Sequence, residues 1–153
     1  MSEIVTALQR RATLQPAATA LIGDGLILSY AELDQRVKQI AQHLIAQRVQ
    51  VLGILCDNSP AWAIVDLAAQ LAQVTCVPLP VFFSRSQIEH AILDAGIDTI
   101  FTDAPTRLHA LPLREITLAS EPGMQPAGDA GYMWVTLKTD SSRQFSNSIA
   151  KIT

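Results

Sequence analysis

The side chains best placed for chemistry sit in one short run, Asp57-Asn58-Ser59-Pro60, between the apolar stretches VLGILC and AWAIVDLAAQLA. A serine at a strand-to-helix turn is where a G-x-S-x-G elbow presents its nucleophile, but those glycines are absent here. Pro60 gives the simpler account. Proline is tolerated at the first helical position, so Ser59 reads as the N-cap, its hydroxyl occupied by a backbone amide. What the run keeps is its position: in an open parallel sheet ligands bind outside the strand ends, and the loop of Asp57, Asn58 and Ser59 would border such a crevice.

The other candidates disperse. His43, His90 and His109 fall on different elements, and the first two lie on the polar sides of helices, so they read as surface residues. Cys56 and Cys76 form no CxxC pair and have no nearby histidine cluster; they read as buried, reduced thiols serving as small hydrophobes. Trp62 and the pair Phe82-Phe83 admit an apolar ligand surface. Packing explains them more simply, with Pro78, Pro80 and the two phenylalanines forming a rigid apolar corner. Neither G-x-x-x-x-G-K-[ST] nor G-x-G-x-x-G occurs, so the common glycine-rich cradles for phosphate are missing. No residue is therefore assigned a catalytic, cofactor-binding or metal-binding role.

The elements that must position these groups follow from periodicity and punctuation. Ile4, Val5, Leu8 and Ala12 repeat at helical spacing and predict an amphipathic helix that ends before Pro16. TALI, the turn Gly23-Asp24-Gly25 and LILS read as a hairpin. Ser29 and Glu32 form a capping box that starts a helix at Tyr30. Its apolar face is Leu33, Val37, Ile40, Ala41, Leu44 and Ile45, with Asp34, Arg36, Lys38 and Gln42 opposite. VLGILC has the all-apolar pattern of a strand buried on both faces. The helix from Pro60 to about Ala72 carries only a narrow polar stripe, Asp66, Gln70 and Gln73, and so demands cover on more than one side.

TCVPLP is a strand stopped by Pro78 and Pro80. Ser84 and Gln87 make a second capping box, opening a helix through Ile88, Ala91, Ile92 and Ala95 that Gly96 ends as a left-handed cap. IDTIFTD is a further strand. The alternation predicts an α/β fold, a mainly parallel sheet containing 50–56, 74–79 and 97–102 with helices on both faces. After Asp103 prolines and glycines punctuate short pieces; REITLA and YMWVTLK predict strands and 139–148 a loop. The organisation expected is an α/β subdomain over 1–103, with a leading helix and hairpin, and an irregular strand-and-loop extension over 104–153.

Charged residues make up 16% and hydrophobic ones 49% of the chain, against roughly 25% charged in an average globular protein. That leaves less solvating surface than a free domain shows and predicts packing against more protein. The net charge of −3 comes without long runs of one sign, and the 11 Lys and Arg residues are scattered, which argues against nucleic acid. No apolar run approaches the ~18 residues of a membrane span, and MSEIVTALQRR lacks the order of a signal peptide. A cytoplasmic location is the expectation.

Three phrases in order, LSYAELDQRV (28–37), CDNSPAWAIVDLA (56–68) and VPLPVFFSRSQIEHAILDAGIDTIFTD (77–103), resemble the opening segment of adenylate-forming acyl ligases. Those enzymes activate a carboxylate with ATP and commonly pass it to a thiol. AKIT (150–153) is similar to the strand that in this family runs into a Ser/Thr/Gly-rich phosphate loop. The resemblance therefore implies the N-terminal subdomain of the ligase fold, truncated before that loop and inactive alone. It implies ATP and magnesium for the full-length parent and no cofactor in this chain. Lys151 matches the strand before the loop, not the catalytic lysine of the family's C-terminal domain.

The VPLP-FFS wording is closest to the fatty-acid or acyl-CoA type. The family's glycine-containing turn after the first long helix is shortened here to QRVQVLGIL. The implied partner is the remainder of the ligase, and self-association through surfaces meant for that remainder is expected. Two other readings stay open: a free-standing flavodoxin-like binding module using the crevice by Asn58, and an interaction half that docks with a separately encoded remainder.

Overall fold

The computed structural model describes residues 2–109, 114–120 and 131–138. Helix α1 (Glu3–Leu14) starts at Ser2, whose hydroxyl accepts the amide of Val5. The hairpin β1 (Thr19–Gly23) and β2 (Leu26–Ser29) turns at Asp24 and Gly25. Both turn residues have positive φ, 49° and 74°, the combination whose twist matches antiparallel strands. Then follow α2 (Tyr30–Ala46), β3 (Val51–Leu55), α3 (Pro60–Ala72), β4 (Thr75–Pro78), α4 (Arg85–Ala95), β5 (Thr99–Thr102), α5 (Thr106–His109), β6 (Arg114–Ser120) and β7 (Met133–Lys138).

Local chemistry sets the helix limits. Both predicted capping boxes are formed, at Ser29 with Glu32 and at Ser84 with Gln87. The carboxyl ends of α2, α3 and α4 close alike. Each is followed by a residue with positive φ, namely Arg48, Gln73 and Gly96, and the next amide reaches back five residues, as Val49 to Leu44, Val74 to Ala69 and Ile97 to Ile92. Only the third of these caps has the glycine that advertises it.

The sheet order is β4-β3-β5-β7-β6. Strands β4, β3 and β5 are parallel, as predicted, while β7 and β6 join antiparallel beyond β5. Helices lie on both faces. Leu52, Ile54 and Phe101 point into a core shared with α2 and α3, whereas Leu55, Ile100, Val135 and Leu137 pack with Ile88 and Ile92 of α4. The alternation along β3 divides the two cores, because successive strand residues face opposite ways. Gly53 lies on the α4 side, where an added Cβ would come within 3.2 Å of Leu79 and 3.3 Å of Ile97 and Ile100.

Helix α3 has no exposed residue; α1, α2, β1 and β4 all contact it, which supplies the cover its composition demanded. Three expectations change. Ile4 and Ile45 are exposed rather than core, since each lies at the rim of its helix's apolar stripe. His43 is half-buried, not a surface residue, because its ring lies 5.0 Å from that of Trp134. The loop expected at 139–148, the strand expected at 150–153 and Lys151 lie outside the described residues.

Candidate functional site

Because β3, β4 and β5 are parallel, the loops that follow them emerge at the same end of the sheet. There Asp57 and Asn58 are exposed and Ser59 is half-buried. Ser59 caps α3 as predicted, its Oγ accepting the Trp62 amide at 3.2 Å. The same oxygen accepts a hydrogen bond from the Tyr132 hydroxyl at 3.3 Å, from a residue 73 positions away. Tyr132 is buried and stacked on Phe101, ring centroids 5.0 Å apart and planes within 9°. This joins the start of α3 to the entry of β7.

A second acidic side chain, Asp103, completes the cluster. Burial is the main force raising the Asp103 carboxyl above its ordinary value, a backbone hydrogen bond and Arg107 pull the other way, and Asp57 adds to the rise. Burial likewise raises the Tyr132 phenol, against the Ser59 hydrogen bond and with help from Cys56, Asp103 and Asp24. The Cys56 thiol is pushed up to about 12 by burial, Asp103 and Asp57. Each group is thus held toward its uncharged form. A thiol of that pKa is no nucleophile at neutral pH.

Arg107 walls the other side. Its guanidinium donates to the carbonyl of Val81 at 2.8 Å and to that of Phe83 at 2.7 Å. Since β3 lies between β4 and β5, this bridge ties the loop after β4 to α5 across the end of β3.

The structure thus brings Asp57, Asn58 and Ser59 together with Asp103, Arg107 and Tyr132, which sequence reasoning had not singled out. The partners of Arg107 are 24 and 26 positions away, beyond any local signal; Tyr132 was visible only as one member of an alternating strand. Trp62 packs against the α2–α3 core and Phe83 against the α4 core. Phe82 is different. It is 82% exposed, so the packed corner expected of the pair holds for one ring only. Cys56 is buried, Cys76 is half-buried, and both are unpaired. Cys76 is also pushed up to about 12, by burial and then by the charge and hydrogen bond of Asp66. His90 is exposed, as expected, and His109 closes α5.

The cluster does not fit a magnesium-bound triphosphate. Among the described residues no three His, Cys, Asp or Glu side chains are grouped for a metal ion. At the start of α3 the Trp62 amide is taken by the Ser59 hydroxyl and the Ala63 amide by the Ser59 carbonyl. A groove of about 450 Å³ lined by Ala7, Arg10, Arg11, Leu14 and Gln15 shares no residue with this cluster.

Residues 8–142 match the protein family described as AMP-binding enzyme. Feruloyl-CoA synthase of Amycolatopsis sp is 32% identical over 133 residues, a match covering 78% of this chain and 27% of that protein. Malpinin synthetase of Mortierella alpina is 32% identical over 91 residues, covering 58% of this chain and 1% of that protein. Among solved structures, O-succinylbenzoate coenzyme A synthetase from Bacillus subtilis, in complex with AMP, superposes with a TM-score of 0.55 at 29% identity, over 60% of this chain and 25% of that one. The chain spans about a quarter of the length of the feruloyl-CoA synthase it matches.

Proposed function

The chain belongs to the AMP-binding enzyme family, and from that premise we propose that it is the N-terminal segment of an AMP-forming carboxylate-activating ligase, inactive without the rest of the enzyme. The observation that carries this reading is the match over residues 8–142 set beside its 27% share of the feruloyl-CoA synthase. The strand-end cluster supports it. Adenylyl transfer needs donors and a metal placed around the reacting phosphate, whereas at this site the Arg107 guanidinium is spent on the Val81 and Phe83 carbonyls and no three His, Cys, Asp or Glu side chains are grouped for a metal among the described residues. In the proposed division, 1–103 is the α/β subdomain and 104–153 the extension leading to the catalytic remainder. ATP and magnesium belong to the full-length enzyme, and the location is cytoplasmic.

An acyl or fatty-acyl substrate is the finer reading, from the VPLP-FFS wording. Carboxylate-dependent exchange of radioactive pyrophosphate into ATP tests both levels. The 153-residue chain is expected to match a no-enzyme control, and the product of the complete reading frame to exchange with a panel of acyl acids. Exchange by the 153-residue chain that survives repurification sinks the proposal, and exchange by the full product with aryl acids alone sinks the fatty-acyl level. A free-standing binding module at Asp57, Asn58 and Ser59 is the second reading, favoured only by their place at the strand ends. Saturable binding of a nucleotide or acyl ligand to the isolated chain, abolished by Asn58→Ala, would establish it.

A further inference from the structure

Phe82 is held out of the protein on a fixed stage. Immediately before it, the Leu79 amide donates to the Ile54 carbonyl at 2.8 Å, and the Phe83 amide closes a turn onto Pro80 at 3.0 Å. Arg107 then holds the carbonyls on either side of Phe82, those of Val81 and Phe83. Directly after it, Ser84 and Gln87 lock the start of α4. Phe83 turns inward and meets the Phe82 ring edge-on, centroids 5.8 Å apart at 80°. The result is an apolar apex, with Phe82 at 82% and Val81 at 41% exposure.

A single exposed apolar side chain needs no explanation. A charged clamp spanning more than twenty positions is another matter, because it orders the loop before any partner arrives and so removes that entropy cost from binding. The apex also stands at a defined place, the carboxyl end of the parallel strands that carries Asp57, Ser59 and Asp103. In open α/β sheets ligands lie outside that end, so whatever completes a ligand site must cover it. The greater part of a relative such as feruloyl-CoA synthase lies outside the segment matched here, and that polypeptide is the one available to do so.

We propose that Phe82, presented by the Arg107 bridge, is the anchor by which this segment docks into an apolar pocket of the ligase's own remaining polypeptide. The inference rests on the reading of the chain as one part of a larger ligase. Arg107 is a positioning residue here, since it acts through the loop it holds.

The test is thiol labelling at position 82. The complete reading-frame product is made as Phe82→Cys with Cys76→Ala, and its modification rate at neutral pH is compared with that of a short exposed-thiol peptide. Pyrophosphate exchange is measured on the unsubstituted enzyme. Docking predicts labelling at least about tenfold slower than the peptide, since thiol reactivity follows access, and faster labelling again when Arg107→Ala is added. Labelling at the peptide's rate in an enzyme that exchanges overturns the inference and leaves the ligase reading standing. Protection that disappears on dilution also overturns it, assigning the apex to a second copy. A product that neither exchanges nor protects position 82 overturns the ligase reading and the inference with it.

Discussion

The two ends of the parallel sheet solve the same problem in opposite ways. At the amino end Asp98 is a hub: its carboxylate accepts the amides of Gln50 and Val51 at 2.9 and 3.1 Å and the Thr99 hydroxyl at 2.8 Å. Its own amide donates to Val51, and its carbonyl accepts from Leu137. One acidic residue thereby ties β3, β5 and β7. At the carboxyl end Asp103 faces burial and a neighbouring carboxylate, with a backbone hydrogen bond and, less, Arg107 only partly offsetting them. An acid in the first setting stabilises the fold, whereas one in the second is carried at a cost. The amino end holds the sheet together, whereas the carboxyl end gathers side chains whose charged forms burial disfavours.

Substitutions can break this contrast. The largest effect is expected at the amino end, where Asp98→Ala removes three hydrogen bonds to a charged group and should cost about 3 kcal/mol in urea unfolding. A loss as small as that of a surface substitution would mean that Asp98 is no hub. Arg107→Ala comes next, at about 2 kcal/mol for two charge-assisted bonds. Its specific sign is faster hydrogen exchange at residues 81–83 while α2 and α3 keep their protection; uniform exchange across the chain would place Arg107 in the global fold instead.

Ser59→Ala removes the cap of α3 and should cost about 1 kcal/mol. Tyr132→Phe should cost less, about 0.5 kcal/mol, and the two should be coupled in a double-mutant cycle, because both delete the 3.3 Å bond between their hydroxyls. Strict additivity would show that the bond carries nothing.

The smallest effect has the most informative sign. The Asp103 pKa is higher in the folded chain than its ordinary value of 3.8. The folded state therefore holds its proton more tightly than the unfolded state. Its stabilising contribution is complete below pH 3.8 and is lost as pH rises through the folded value. Asp103→Asn should thus leave stability at pH 7 unchanged or slightly improved and flatten the pH dependence in that window. A clear loss of stability at pH 7 would make Asp103 a second Asp98 and erase the difference between the two ends.

What the sequence determined by itself is what short-range chemistry controls. The capping boxes at Ser29 and Ser84, the Ser59–Pro60 start of α3 and the Gly96 cap all involve partners within a few residues, and all were legible. So were the parallel strands, whose apolar runs alternate with capped helices, and the family, carried by phrases within 28–103. The left-handed caps at Arg48 and Gln73 escaped notice because no glycine marks them.

Tertiary structure decided the rest. Whether Ile4, Ile45 and Phe82 are covered depends on which neighbour reaches them, and periodicity places a side chain on a helix face without saying where the neighbour's edge falls. His43 became half-buried only because Trp134 arrives from a distant strand. The candidate site was half legible for the same reason: Asp57, Asn58 and Ser59 are contiguous and could be read, while only the folded sheet brings the Tyr132 hydroxyl to Ser59, Asp103 into the field of Asp57, and Arg107 to the loop after β4.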